Sequence, residues 1–229
     1  MQSSLKRLIA SPDFIRVFVL RTIGNFLVLL AVFLVIKTFW QPVSEELRFF
    51  LDEKTGKEYV VSEEIPKGML AEALKKRNIE VLTPKDPNFS IVVPKIGANA
   101  NILASVNAAN EKEYLTALQK GVAHAKGTAF PGEGGNVYLF AHSTDYFWNV
   151  GSYNAVFYLL YKLKVGDEVN IFYGGQRYVY QVSETKVVDP REVQYLTRQT
   201  DNELLTLQTC WPPGTTLKRL LVFAKRVAE

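Results

Sequence analysis

Cys210 is the only cysteine in the 229-residue sequence, and its position favours a chemical role. It follows the alternating, strand-like stretch 204–209 and precedes the turn-forming residues 212–214. A thiol at the end of a strand is held by a rigid element and still reaches solvent, which suits a nucleophile. A lone cysteine is more often a small buried hydrophobe, so other residues must support the chemical interpretation.

Arg219 is the first such residue, because it stands directly before a second strand-like run, 220–224. Cys210 and Arg219 are therefore expected on neighbouring strands that flank one short connection. A guanidinium stays protonated and acts neither as an acid nor as a base. Its use is electrostatic, as a fork of donors for a substrate carbonyl or for the oxyanion that forms when a carbonyl is attacked. The alternative is a surface cation beside Lys218.

A thiol with an ordinary pKa of ~8.5 is only slightly ionised at neutral pH, so it needs a nearby base or cation. The sequence contains two histidines. His124 precedes the Pro-Gly turn at 131–132, whereas His142 follows the apolar strand 137–141 directly. We prefer His142 as the base because it stands at a strand end, as Cys210 does. A polar residue without a chemical role is the alternative for either histidine.

Other reaction classes lack their characteristic residues. One cysteine and two separated histidines make no zinc pattern, and the sequence contains no P-loop, no dinucleotide-binding fingerprint and no Gly-x-Ser-x-Gly elbow. The acidic residues lack the spacing of a calcium-binding loop. No metal or other cofactor is therefore expected, although the sequence does not decide a dependence on calcium.

An apolar segment near the N-terminus, residues 22–40, predicts a transmembrane helix. Lys37 is its only charge, and about 20 apolar residues span a bilayer. The Lys37 side chain can extend to the interface beside Trp40. A cleaved signal peptide is the alternative, but the sequence after Lys37 offers no small-residue cleavage site, so an uncleaved anchor is favoured.

The charge distribution predicts the side of the membrane that each part faces. The formal net charge of +4 lies within the first 40 residues, and the remainder is balanced. A neutral remainder removes the electrostatic case for nucleic-acid binding. Because basic residues precede the apolar segment, we expect residues 1–21 in the cytoplasm and the chain from residue 41 onward outside. Cys210 is then extracytoplasmic, with a free thiol.

The chain after the anchor divides into two regions. Residues 41–88 are charged and mixed, with a helical stretch at 67–76, which is typical of a stalk or linker. Residues 89–229 suffice for one compact domain, and their many short strands separated by turns favour a closed antiparallel barrel or a sandwich. The expected strands are 91–93, 102–106, 137–141, 168–173, 176–188, 204–209 and 220–225, and the expected helical pieces are 111–119 and 154–162.

Several motifs within residues 89–226 resemble those of the sortase family and occur in a consistent order. Residues 206–210, Thr-Leu-Gln-Thr-Cys, followed by Arg219 are similar to the family's Thr-Leu-x-Thr-Cys signature with its spaced arginine. The N-terminal anchor also fits this family. The other resembling segments are 91–97 for the first strand, 130–137 with His142 for the histidine-bearing segment, and 165–168 for a recurrent turn.

The resemblance implies an all-β fold, a closed eight-stranded barrel with short helices behind one N-terminal transmembrane helix, and a cysteine transpeptidase activity. Cys210 would attack a backbone carbonyl in an LPxTG-like sorting signal and form a thioester with its threonine. His142 would protonate the leaving amine and later deprotonate the incoming one, and Arg219 would stabilise the oxyanion. Leu207 and Thr209, from the same signature, are implied as substrate contacts.

The resemblance also implies the partners of the reaction and its place. The substrates would be secreted proteins that carry the sorting signal, the acceptor would be an amine of the cell envelope or of a pilin, and the site would be the bacterial cell membrane. After Arg219 the sequence shows no second apolar span, which counts against the pilin-polymerising members that carry one. Ala141 before His142 and residues 211–213 after Cys210 depart from common family patterns, so the subclass is open.

Two other functions stay open at this point. A cysteine hydrolase would use the same residues and let water take the acyl group. An anchored binding module without enzymatic activity would need Cys210, His142 and Arg219 all to be structural, which their joint placement disfavours.

Overall fold

The computed structural model describes residues 12–143 and 156–227. Contacts divide the chain after Ser44 into two units. The first unit holds most of α1 (Pro12–Thr55), a helix that is long and apolar enough to cross a membrane. None of the residues in the most apolar stretch of this helix is buried. The predicted segment 22–40 lies inside this helix. The helix is therefore compatible with a single-pass membrane anchor.

The second unit, Glu45–Glu229, includes all but the first four residues of the segment 41–88, which is expected as a stalk or linker. That segment contains, after the end of α1, the elements β1 (Glu58–Val61), α2 (Met69–Lys76) and β2 (Ile79–Leu82). β1 and β2 pair in parallel, and α2 matches the helical stretch predicted at 67–76. Phe49 of α1 is buried in the main core, and the Arg48 guanidinium donates to the carbonyl oxygen of Ile96 at 2.9 Å. Residues 45–88 thus pack as part of the folded unit.

The centre of this unit is a closed barrel of eight strands in the order β10-β8-β7-β3-β4-β5-β6-β9, which confirms the predicted fold class. The connection between β4 and β5 contains α3 (Glu111–Leu118). The strands are β3 (Phe89–Val93), β4 (Ala98–Val106), β5 (Val122–Ala125), β6 (Asn136–Phe140), β7 (Glu168–Tyr173), β8 (Gln176–Val188), β9 (Leu204–Trp211) and β10 (Lys218–Arg226).

Two strand pairs of the barrel, β4 with β5 and β6 with β9, are parallel, so the expectation of an antiparallel barrel is wrong for them. Parallel neighbours need a crossover connection. α3 supplies it between β4 and β5, and the chain from residue 141 to residue 203, with β7 and β8, supplies it between β6 and β9. Parallel pairing depends on contacts between distant parts of the chain. The local alternation of apolar and polar residues does not predict those contacts.

β5 was not expected as a strand, because it has only four residues and includes His124. Glycine at position 121 allows the chain to pass close to β4 just before β5 begins. A Cβ atom at this position would lie 2.3 Å from the carbonyl oxygen of Asn101. The helical piece expected at 154–162 is a 3-10 helix at Tyr158–Lys162, and residues 154–155 fall outside the described part of the chain.

The strands β6, β9 and β10 present two different faces. Alternate residues such as Leu139, Leu207 and Val222 are fully buried in the main core. On the opposite face, Leu221 and Phe223 belong to a second apolar cluster. Because side chains alternate along a strand, this second face is also the one that carries Cys210 and Arg219. The barrel therefore holds its candidate chemical groups on the outside of a packed sheet.

Candidate active site

Cys210 and Arg219 are direct neighbours across two antiparallel strands. β9 and β10 pair so that Arg219 lies opposite Cys210, in a register that runs from Lys218 with Trp211 to Lys225 with Leu204. Opposite residues of such a pair project to the same face, with Cβ atoms about 4.5–5.5 Å apart. The prediction that neighbouring strands carry the thiol and the guanidinium is confirmed.

The Cys210 thiol is free and half-buried. Burial raises its pKa, because poor hydration disfavours the thiolate, and the positive charge of Arg219 offsets part of that effect. The raised pKa favours the neutral thiol over the thiolate at neutral pH. Cys210 needs a proton acceptor at the moment when it attacks.

Arg219 is held by the connection between the two strands. Its Nη1 atom donates to the carbonyl oxygens of Thr216 and Lys218, each at 3.1 Å. This pair of bonds fixes one edge of the planar guanidinium on the backbone, while the group offers five N–H donors in total. The remaining donors can point at a ligand on the Cys210 face without a large loss of side-chain entropy.

β6 brings His142 to the same end of β9, because the two strands pair in parallel over the whole of β6. Beyond that strand the Ala141 N–H donates to the carbonyl oxygen of Gln208 at 3.1 Å. The Thr209 hydroxyl then donates to the carbonyl oxygen of Ala141 at 3.0 Å. His142 is the next residue and is half-buried. The ladder thus carries His142 alongside Cys210.

His124 lies apart from this group, fully buried on β5. Its ring packs against those of Phe89 and Phe130, with centroids 5.7 and 4.4 Å away. Its Nδ1 atom accepts from the Ser105 N–H at 3.3 Å, which places the proton on Nε2, and Nε2 donates to the carbonyl oxygen of Ala129 at 3.0 Å. Burial lowers its pKa. His124 is therefore a neutral core residue.

Leu207 and Thr209, the two signature residues implied as substrate contacts, face the barrel interior. Leu207 is fully buried in the main core, and Thr209 is only 3% exposed. The Thr209 hydroxyl is occupied by its bond to Ala141. Both side chains therefore point away from the face that carries Cys210.

Tyr138 and Gln208 form a polar pair that the sequence analysis did not single out. The Tyr138 hydroxyl donates to Gln208 Oε1 at 2.6 Å. Burial raises the pKa of Tyr138, and the charge of Arg219 acts in the opposite direction, so this phenol stays protonated as a donor within range of the guanidinium. Gln208 is two positions before Cys210 and shares its face. Both residues lie in runs that the sequence predicts as strands. The alternation of side chains along those strands is the signal that could have placed them on the same face as Cys210.

Within residues 12–143 and 156–227, no group of three or more His, Cys, Asp or Glu side chains is placed to hold a metal ion. Cys210, Arg219 and His142 lie at the same end of the paired strands β6, β9 and β10.

A family model matches most of the barrel-forming sequence. It is described as the Sortase domain and matches residues 91–227, more than half of the chain. Sortase D of Bacillus subtilis (strain 168) is 30% identical over 138 residues, which are 59% of this chain and 61% of that protein. The chain thus aligns with less than two thirds of the length of this relative.

Solved structures of similar proteins share the fold. Sortase C-1 from Actinomyces oris superposes with a TM-score of 0.52 and 31% identity, over 63% of this chain and 76% of that one. A Clostridium perfringens sortase D5 transpeptidase superposes with a TM-score of 0.50 and 28% identity, over 69% of this chain and 88% of that one. The similar structures carry both C and D designations, so the family is common to them and the subclass is not.

Proposed function

The chain belongs to the sortase family, and from this premise we propose that it is a cysteine transpeptidase anchored in the bacterial cell membrane. The observation that carries the proposal is the opposition of Cys210 and Arg219 on β9 and β10. The ladder through Ala141 and Thr209 adds His142 to the same strand end. A nucleophile, a fixed cation and a base in one place are the groups that acyl transfer through a thioester requires.

In the first half-reaction the Cys210 sulfur attacks the threonine carbonyl carbon of an LPxTG-like sorting signal. Because burial raises the pKa of the thiol, its proton passes to His142 as the carbon–sulfur bond forms. Arg219 donates to the developing oxyanion, with one guanidinium edge already fixed by Thr216 and Lys218. His142 then protonates the leaving amine of the glycine, the carbon–nitrogen bond breaks, and a thioester remains on Cys210.

In the second half-reaction an amine attacks the thioester. His142 takes a proton from that amine and returns it to the Cys210 sulfur as the carbon–sulfur bond breaks, and a new amide forms. A thioester keeps the acyl-transfer potential that hydrolysis would lose, so the exchange needs neither ATP nor a cofactor. The acceptor amine belongs to the cell wall or to a pilin subunit, and the product is a surface protein attached to the envelope.

We place this reaction outside the cytoplasm. The basic residues before the apolar part of α1 favour a cytoplasmic N-terminus, which puts the unit from Glu45 onward on the outer side. Secreted proteins with sorting signals then reach the Cys210 face after export. The membrane, these proteins and envelope amines are the partners that the proposal requires.

We assign Leu207 and Thr209 to positioning rather than to substrate contact. Leu207 fixes β9 in the core, and Thr209 ties β9 to Ala141. The polar side chain of the signature that shares the Cys210 face is Gln208.

The test is product analysis with the full chain in detergent micelles. Incubation with an LPxTG peptide should cleave the bond between threonine and glycine, and an added amine should appear joined to the acyl part. Mass spectrometry of the stopped reaction should find a thioester on Cys210, and Cys210→Ala should form neither product. His124→Gln is the matched control, because that histidine is buried away from the site.

Two results would contradict the proposal. A free carboxylate as the sole product at saturating amine, across a panel of amines and cell-wall fragments, identifies a hydrolase. No thioester and no cleavage with any sorting peptide refutes an enzyme of either kind.

A further inference from the structure

The residue after the nucleophile, Trp211, is held from the side opposite to the thiol. Its ring lies against that of Tyr161, with centroids 5.4 Å apart and planes at 54°. Both rings are half-buried and pack against the main core. Because side chains alternate along β9, Trp211 projects away from the face that carries Cys210. Packing at Trp211 therefore fixes the strand end on which the thiol sits.

Tyr161 is held in turn by Glu46, near the end of α1. The Tyr161 hydroxyl donates to Glu46 Oε1, and the Lys162 ammonium lies 3.1 Å from Glu46 Oε2. Tyr158 faces the same carboxylate, and burial, with the charge of Glu46 as the next cause, raises its pKa to about 12. Three side chains of the 3-10 helix Tyr158–Lys162 thus converge on one carboxylate, which is itself half-buried.

The position of Glu46 is fixed by its neighbours on α1. Phe49 is only 7% exposed, and the Lys162 ammonium lies 5.2 Å from the centre of its ring. Glu53, further along the helix, pairs with Lys95 at 3.3 Å. The end of α1 is thus seated by apolar and charged contacts at several points, so Glu46 has a rigid base from which to hold Tyr161.

We propose that Glu46 is a positioning residue for Cys210 and acts through Tyr161 and Trp211. Glu46 lies outside residues 91–227, the part that matches the Sortase domain. The proposal therefore adds to the proposed active site a residue from the C-terminal part of α1, outside the matched domain. This proposal adds a positioning residue to the proposed function. Its turnover measurement rests on that function.

The expected size of the effect follows from catalytic geometry. Glu46 touches no reacting atom, so its loss shifts the strand end without removing a chemical group. A displacement of 1 Å in an active site can cost on the order of 10²-fold in rate. Tyr161→Phe removes one oxygen and leaves the ring against Trp211, so it isolates the hydrogen bond to Glu46 from the ring packing.

The experiment uses the full chain in detergent with Glu46→Ala, Glu46→Gln and Tyr161→Phe. Glu46→Gln keeps a carbonyl oxygen that can accept from the Tyr161 hydroxyl, whereas it loses the charge opposite Lys162. Glu53→Ala is the matched control, because it removes a carboxylate from the same helix that pairs with Lys95 instead. Two quantities are measured for each protein: the kcat and KM for a sorting peptide, and the rate of Cys210 alkylation without peptide.

Glu46→Ala and Tyr161→Phe should lower kcat about tenfold and leave KM within about twofold, because the substrate contacts are intact. Both should speed alkylation about threefold or more, since a loosened strand end exposes the thiol. Glu46→Gln and Glu53→Ala should stay within about twofold of the wild type in both measurements.

Wild-type kcat and alkylation in both Glu46→Ala and Tyr161→Phe would overturn the proposal. Equal losses in Glu46→Ala and Glu46→Gln would also overturn it, because the charge pair with Lys162 would then be the active contact. If Glu46→Ala does not fold, Tyr161→Phe decides the question. The alkylation measurement needs no peptide, so a failure of the proposed function leaves this test valid.

Discussion

The Thr209 hydroxyl donates a hydrogen bond to the carbonyl oxygen of Ala141 at 3.0 Å and so joins the residue before Cys210 to the residue before His142. The bond is buried, because both residues are almost fully covered. It gives the threonine before the cysteine a physical role in the site. The bond ties together the strand ends that carry Cys210 and His142, the proposed nucleophile and base.

Thr209→Val should therefore impair turnover more than it impairs folding. Valine has nearly the same shape as threonine and leaves the Ala141 carbonyl oxygen without this donor, which costs roughly 1–3 kcal/mol of unfolding free energy. Thr206→Val is the matched control on the same strand, since the Thr206 hydroxyl also makes a buried bond, to Asn136 Oδ1 at 2.7 Å. Denaturant unfolding and peptide kinetics compare the two. Equal kcat in both variants would contradict the positioning role.

Replacement of each proposed catalytic residue should abolish or strongly reduce turnover in a folded protein. Cys210→Ala should be inactive, and Arg219→Ala should lose on the order of 10²–10³ in kcat, as expected for one oxyanion donor. His142→Ala should lose the acid–base contribution, about 10²–10⁴. Peptide cleavage and circular dichroism check these outcomes.

His124→Gln provides the control for the histidine assignment. It should keep substantial activity in whatever fraction of the protein is folded, because His124 is buried on β5. A folded but inactive His124→Gln, together with an active His142→Ala, would reverse the assignment of the base.

The charge of Arg219 should be visible in the ionisation of the thiol. Burial raises the pKa of Cys210 and Arg219 opposes that rise, so Arg219→Ala should shift the thiol titration to still higher pH. Arg219→Lys keeps a positive charge and should shift it less. The rate of alkylation as a function of pH measures this, because only the thiolate reacts. A shift to lower pH in Arg219→Ala would show that the guanidinium does not act on the thiol.

His124 should make folding stability sensitive to acid. Its pKa is lowered in the folded protein, while in the unfolded chain it takes the ordinary value of about 6.5. As the pH falls below that value the unfolded chain binds a proton that the folded protein binds more weakly, so stability is present above about pH 6.5 and is lost below it. Unfolding curves of the wild type and of His124→Gln between pH 5 and pH 8 should differ in this slope. Parallel curves would contradict the assignment.

The membrane orientation is open to a direct experiment. Protease added outside intact cells should digest the chain after Trp40 and spare the N-terminal tail, because basic residues precede the apolar segment. Antibodies against tags at the two ends follow the fragments on gels. A smaller protein that lacks residues 1–40 and is released into the medium would indicate a cleaved signal instead.

The sequence was sufficient to place Cys210 and Arg219 on paired strands, because long alternating runs report local structure directly. It was insufficient for β5, whose four residues are too few for a periodic pattern, and for the parallel pairing of β6 with β9, which joins distant segments. The register of such a pair is set by burial of both strands in one core, and no local window contains that information.

The segment 45–88 shows the same limit. Its charged composition is typical of a linker, yet Glu46 bonds to Tyr161 across 115 positions of the chain. Side chains such as Arg48 and Glu46 look like surface charges in the sequence and become contacts only when the barrel supplies their partners. Long charged side chains can pack their apolar carbon atoms against the protein while the charged group reaches a partner. Composition alone does not reveal which of them do so.

The parallel pairing of β6 and β9 also makes the proposed site depend on completion of the barrel. The connection from residue 141 to residue 203 must fold back before the two strands meet, and closing so long a connection costs conformational entropy. His142 and Cys210 are therefore brought together only as the barrel closes. Without the closed barrel Cys210 is an ordinary thiol apart from the proposed base, so on the proposed mechanism an acyl-enzyme can form only in the completed fold.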